Sequence, residues 1–176
     1  MPVTPISSSP AWERRLPKES IYIDSCIWIA QYKPDELTDE QRSGISWLNE
    51  QISMGNVIAV ASSLLLVELL TVSAELIEIA YDGRKGLLVA ADDAICHRAR
   101  ELQQKCYADK QKCLSNLDAL HLSTASVQRC QRFLTLDKTR KNNQLSPLAD
   151  KQYLERLLGL KIVDPTTLED QKKLDL

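Results

Sequence analysis

The sequence holds only five glycines in 176 residues, which excludes collagen-like repeats and glycine-rich linker chains. Neither G-x-x-x-x-G-K-[ST] nor G-x-G-x-x-G occurs, so the common backbone loops that cradle nucleotide phosphates are missing. No C-x-x-C pair stands among Cys26, Cys96, Cys106, Cys113 and Cys130. With an odd number of thiols and no secretory leader, neither a zinc ribbon nor a secreted disulfide framework is expected. Reduced thiols in a cytoplasmic protein fit the pattern. The longest apolar stretch, Val57 to Leu70, is broken by Ser62, Ser63 and Glu68. It falls short of the ~20 apolar residues that a membrane span requires. Positive charge is not in excess either: 22 basic and 24 acidic side chains leave a net charge of -2. That balance argues against coating nucleic acid by bulk charge, though not against a local basic strip.

What is present is enough apolar material, 44% of the chain, to build one core. A chain of this length buries roughly 70% of its unfolded surface and fits a single domain. Residues 1–19 carry Pro2, Pro5, Pro10 and Pro17 with Ser7-Ser8-Ser9, and read as a flexible arm. The domain is expected over 20–165, followed by a short tail over 166–176.

Within it, Ile21-Tyr22-Ile23 reads as a buried strand ending at Asp24, and Ser25 to Ala30 as a helix ending before Pro34. Thr38-Asp39-Glu40-Gln41 has the spacing of a helix start, with Ile45, Leu48 and Ile52 as its apolar stripe. Asn56 to Val60 is a second strand; Ser62 or Ser63 caps a helix through Leu70 to about Ala80. Leu87 to Ala90 is a third strand, and Asp92 or Asp93 caps a long helix to about Cys113. A helix opens at Asn116, a fourth strand runs from Phe133 to Leu136, and a last helix and strand cover Leu154 to Leu158 and Lys161 to Val163. Apolar strands alternating with amphipathic helices indicate an α/β domain, a mostly parallel central sheet flanked by helices on both faces. In such sheets ligands bind beyond the carboxyl ends of the strands.

Two aspartates fall there: Asp24 after the first strand and Asp137 after the fourth. Glu68 sits inside the run Leu64-Leu65-Leu66-Val67-Glu68-Leu69-Leu70, where a charge is costly unless paired or metal-bound. Asp118 lies in the first turn of its helix, where a carboxylate also serves the helix dipole. Each has an ordinary structural reading as a cap, an ion-pair member or a turn residue. Together, four carboxylates from separate elements would repel one another without a cation between them. Oxygen ligands of this kind suit hard ions, Mg²⁺ or Mn²⁺.

Tyr22-Ile23-Asp24-Ser25, Glu68, the segment Leu117-Asp118-Ala119-Leu120-His121-Leu122-Ser123-Thr124-Ala125, and Leu134-Thr135-Leu136-Asp137 together resemble a PIN domain. The likeness is closest to the VapC-type toxin ribonucleases of prokaryotic toxin–antitoxin pairs, and it spans about residues 20–165. It implies a PIN-like single domain and metal-dependent cleavage of RNA in the cytoplasm. The catalytic and metal-holding residues it implies are Asp24, Glu68, Asp118 and Asp137, with Mg²⁺ or Mn²⁺ as cofactor. Ser25, Thr135, Lys138 and Arg140 would stand beside them as supporting or substrate contacts. A small antitoxin protein is the implied partner, a homodimer is a further expectation, and no membrane partner is expected. Two positions depart from the family pattern. Cys26 stands where a small hydroxyl or amide residue is common, and Lys138-Thr139-Arg140 stands where many relatives carry a further acid and an aromatic.

His121, three residues after Asp118, shares its helix side and reads chiefly as a packing or hydrogen-bonding residue, less as a general base. His97, among Arg98 and Arg100, is expected to face solvent, and Gly83-Arg84-Lys85-Gly86 to form a turn. Arg129, Arg132, Lys138, Arg140 and Lys141 crowd the ends of the fourth strand, where those after Asp137 would meet phosphates. Trp28, Tyr32 and Trp47 would form either an apolar docking face or part of the core. The alternative class is a catalytically silent nucleic-acid- or protein-binding module on the same fold. A phosphoryl-aspartate phosphatase is disfavoured, because Cys26 occupies the place of its second aspartate.

Overall fold

The triplet Ile21-Tyr22-Ile23 alternates between two apolar layers, and that alternation organises the molecule. A computed structural model describes residues 19–69, 85–139 and 144–168. In chain order the elements are strand β1 (Glu19–Ile23), helix α1 (Ser25–Tyr32), α2 (Asp39–Ser53), β2 (Val57–Ser62), α3 (Leu65–Glu68) and β3 (Gly86–Val89). They continue as α4 (Asp93–Lys110), α5 (Asn116–Val127), β4 (Arg132–Leu134), α6 (Lys151–Leu158) and β5 (Lys161–Val163). Short 3-10 turns cover Pro34–Glu36 and Pro165–Leu168.

The strands form one five-stranded sheet in the order β3-β2-β1-β4-β5, every neighbouring pair parallel. Ile21 pairs with Ala59 on one side and Arg132 on the other, so β1 is the centre. Ile21 and Ile23 pack on one face with Ala59, Ala61 and Leu134, beneath Ile27, Ile45, Leu48 and Ile52 of α1 and α2. Tyr22 packs on the opposite face with Val60, Phe133 and Ile162, beneath Leu102, Leu122 and Leu154 of α4, α5 and α6. Each large side chain buried this way contributes about 1.5–3 kcal/mol, which is why β1 is apolar at every inner position.

Local sequence sets the helix ends. Thr38 and Gln41 close a capping box: Thr38 Oγ1 accepts from the Gln41 N–H at 3.2 Å, and Gln41 Oε1 from the Thr38 N–H at 3.1 Å. Asp92 caps α4 by accepting from the Ile95 N–H at 3.0 Å. That helix stops at Lys110 rather than near Cys113, because Gln111 takes the left-handed conformation at φ 54°. The β4 ladder ends at Leu134, two residues before the expected Leu136; the Thr135 N–H still reaches the Val163 carbonyl at 3.1 Å.

Of the two readings of the aromatic set, the core one holds for Trp28: it is 3% exposed, and its Nε1–H donates to the Ile23 carbonyl at 3.2 Å. Trp47 is half-buried against the same core, and the side chain of Tyr32 lies outside the described residues. Packing also runs past the expected domain end at 165, since Leu168 is fully buried in the α1–α2 core. The arm up to residue 18, the stretch 70–84 with the expected end of the Leu64 helix, and the tail from 169 lie outside the described residues.

Candidate active site

The chain builds β1, β2 and β3 outward in one direction, then returns to place β4 and β5 on the other side of β1. Strand order therefore reverses between β1 and β4, and the crevice at their carboxyl ends is where such sheets bind ligands. Asp24 leaves β1 at that point, and Thr135, Leu136 and Asp137 leave β4.

Asp24 is 5% exposed yet richly bonded. As the N-cap of α1 it accepts from the Ser25 N–H on Oδ1 at 2.8 Å. On Oδ2 it accepts from the Thr135 hydroxyl at 2.6 Å and from the Cys26 thiol at 3.1 Å. Cys26 thus contributes a bond of its own at the position where the hydroxyl or amide was expected. Burial, and then the charge of Asp24, push its thiol pKa well up, so it stays a donor. Its sulfur in turn accepts from the Leu136 N–H at 3.2 Å, and Thr135 Oγ1 accepts from the Asp137 N–H at 3.1 Å. These bonds tie the two strand ends together.

Asp118 is set by Ser115, the N-cap of α5. Ser115 Oγ accepts from the Asp118 N–H at 3.0 Å and donates to Asp118 Oδ2 at 2.6 Å. Asp137 accepts from the Thr139 N–H at 3.1 Å, while its carbonyl takes the Leu148 N–H and the Ser146 hydroxyl. Glu68, the last residue of α3, has Oε2 2.7 Å from Nε2 of His121, a residue 2% exposed. His121 Nδ1 lies 2.6 Å from the Tyr22 hydroxyl.

Glu68, Asp118 and Asp137 line one cavity of about 160 Å³ together with Ser115, Thr139, Gln144 and Leu145. Asp24 is not on its wall but is felt there. Burial raises the Asp118 carboxyl above its ordinary range, the Ser115 bond offsets part of this, and the charges of Asp24 and Asp137 add to the rise. Burial works to lower the His121 pKa, but the Glu68 bond and the charges of Asp24, Glu68 and Asp118 outweigh it. The four carboxylates therefore share one field.

An all-oxygen, net-negative set of this type fits a hard divalent cation in its chemistry. Among the described residues, no three such groups converge closely enough to be direct ligands of one ion.

Of the expected supporting residues, Ser25 and Thr135 bond Asp24 directly. Lys138 is held by Asp164 at 2.7 Å, and Arg140 lies outside the described residues. Arg132 is paired with Glu19, at 2.7 Å, at the start of β1 and away from the crevice. His97 is exposed. Ser115 lies outside the sequence motifs, and Tyr22 enters them only as a strand residue beside Asp24. Ser115-x-x-Asp118 carries a legible capping signal, whereas nothing near Tyr22 points to His121.

No family model matches the chain, and no curated protein matches it by sequence. Solved structures do. VapBC2 from Rickettsia felis, bound to a DNA fragment from their promoter, aligns at TM-score 0.52 and 16% identity over 82% of this chain and 98% of that one. FitAcB from Neisseria gonorrhoeae aligns at TM-score 0.52 and 14% identity, over 82% of this chain and 97% of that one. FitAB bound to an IR36 DNA fragment aligns at 0.50 and 13%, over 83% and 95%. The five-stranded parallel sheet and its helices are thus the PIN-like α/β fold that the acidic motifs resemble, shared nearly end to end with chains of the VapBC2 and FitAB structures.

Proposed function

We propose that this protein is a metal-dependent endoribonuclease that hydrolyses RNA phosphodiester bonds, and that it is the toxin of a toxin–antitoxin pair. The observation that carries the reading is the shared field of Asp24, Glu68, Asp118 and Asp137 at the crevice between β1 and β4. The fold likeness to VapBC2 and FitAB supports the toxin assignment, with a small antitoxin as partner.

On this reading the four carboxylates hold Mg²⁺ or Mn²⁺. Such an ion, when bound, supplies an acidified water and neutralises charge on the phosphate. The chain does the rest. Thr135, Cys26 and the Ser25 N–H hold Asp24 in one rotamer, and Ser115 does the same for Asp118. Lys138 and Arg140 follow Asp137 closely enough in sequence to meet RNA phosphates. The protein would act in the cytoplasm; among the described residues no helix is long and apolar enough to cross a membrane.

Purified protein should cut RNA in Mg²⁺ or Mn²⁺ and stop in EDTA. Asp24→Asn, Glu68→Gln and Asp118→Asn should each lower the rate by roughly 100-fold or more with unchanged circular dichroism. Full turnover by any of them in Mg²⁺ would remove that residue from the site. A silent binding module is the second reading, favoured by the lack of three convergent ligands among the described residues. Mn²⁺ binding by calorimetry without any RNA turnover would decide for it.

A further inference from the structure

Tyr22 lies on the central strand, His121 on α5 and Glu68 at the end of α3, and the three side chains form one chain of contacts. We infer that Tyr22 is a positioning residue: acting through His121, it fixes the imidazole so that Nε2–H is aimed at Glu68. The inference rests on the reading of Glu68 as one of the carboxylates that hold the ion.

The geometry leaves little freedom. Tyr22 is fully buried, and its ring stacks on Phe133 with centroids 5.2 Å apart and planes 5° from parallel. The phenol can therefore aim its oxygen in only one direction along the sheet. At that oxygen the Ser62 N–H donates at 3.1 Å, and His121 Nδ1 lies 2.6 Å away. The hydroxyl's partners among the described residues are these two. Since the Ser62 N–H must donate, the phenol proton goes to Nδ1, and the ring proton is left on Nε2, facing Glu68 at 2.7 Å. A second ring proton, on Nδ1, would leave the phenol proton without an acceptor in a buried place, which is disfavoured.

The arrangement gives Glu68 a partner outside its own short element. Asp24 and Asp118 each have partners within three residues, Ser25 and Cys26 for the first and Ser115 for the second, and Asp24 has Thr135 besides. Glu68 ends a helix whose described part is only Leu65–Glu68, and its neighbour Val67 is 68% exposed. Its hydrogen-bond partner among the described residues is His121. A long side chain on so short an element keeps its place through the imidazole, and the imidazole keeps its place through Tyr22.

The test uses the full chain, with Mn²⁺ alone as the probe. Nitrogen NMR of wild-type His121 should show an unprotonated Nδ1 and a protonated Nε2, and Tyr22→Phe should mix the two tautomers. Calorimetric Mn²⁺ affinity should fall roughly 10-fold or more in Tyr22→Phe and in His121→Asn, which places an amide near Nδ1 only. His121→Gln, whose amide nitrogen reaches the Nε2 position, should stay within about threefold of wild type. A purely structural histidine would make the Asn and Gln variants alike. Equal Mn²⁺ affinity in all variants, or Nδ1–H as the wild-type tautomer, overturns the inference. If wild type neither binds Mn²⁺ nor cuts RNA, the nuclease reading fails instead, and the ring nitrogens still decide the relay.

Discussion

Thr135 donates its hydroxyl to Asp24 at 2.6 Å and accepts the Asp137 N–H at 3.1 Å, so one oxygen joins the carboxyl ends of β1 and β4. Thr135 is fully buried. Replacing it by the near-isosteric valine removes a donor from a buried carboxylate and an acceptor from a backbone N–H at once. Thr135→Val should therefore cost about 1–3 kcal/mol in urea unfolding, whereas Thr135→Ser, which keeps the oxygen, should cost clearly less. A larger loss in Thr135→Ser than in Thr135→Val would mean that the methyl group, not the bond, matters.

Gly44 on α2 sits against the 3-10 turn Pro165–Leu168. A Cβ built there would overlap the Pro165 carbonyl, which belongs to backbone and cannot swing aside. Gly44→Ala should lower stability by about 1–3 kcal/mol despite alanine's better helix propensity. Stabilisation instead would show that residues 165–168 are not seated on α2 in solution.

Much of this was legible in the sequence, and what was not has physical causes. The strand ends at Asp24, Thr38 with Gln41, and Asp92 are local signals, written within a few residues and satisfied within a few residues. Trp28 stays open between core and docking face in the sequence because Cys26-Ile27-Trp28-Ile29-Ala30 is apolar around the whole helix, so periodicity does not say which side is inward. The Tyr22–His121 contact joins positions 99 residues apart and exists only once the sheet and α5 have packed. Cys26 looked like a departure from the expected pattern. Its thiol turned out to fill the same bonding role on Asp24, a substitution of chemistry that spacing does not reveal.

The thiols should separate by reactivity. Cys96 is exposed, while Cys106 and Cys130 are buried and their pKa values are raised, by burial first, to about 11. At pH 8 a thiol of that pKa is thiolate to only about one part in a thousand. Cys26 is raised too, by burial and by Asp24. A short iodoacetamide pulse should label Cys96 and leave Cys26, Cys106 and Cys130 until denaturant is added. Peptide mass mapping reads this directly; early labelling of Cys26 would contradict its bond to Asp24.

Asp118 is where the electrostatics and the proposed chemistry pull in opposite directions. Its carboxyl pKa is raised by burial and by the charges of Asp24 and Asp137, so the ionised form is held in the fold at a cost. The sign follows from linkage: a group whose folded pKa is raised favours the fold at low pH, and that advantage is lost as pH rises through the folded value. Asp118→Asn keeps an oxygen to accept from Ser115 and removes the charge. In EDTA at neutral pH the variant should therefore melt at or above wild type, and the two should converge as the pH is lowered toward 4. With Mn²⁺ added the order should invert, because wild type gains stability from the ion in proportion to its affinity and the variant does not. A variant that melts lower than wild type in EDTA, at neutral pH, would show that the charge of Asp118 is compensated within the protein itself, and the case for a cation among these carboxylates would lose its electrostatic ground.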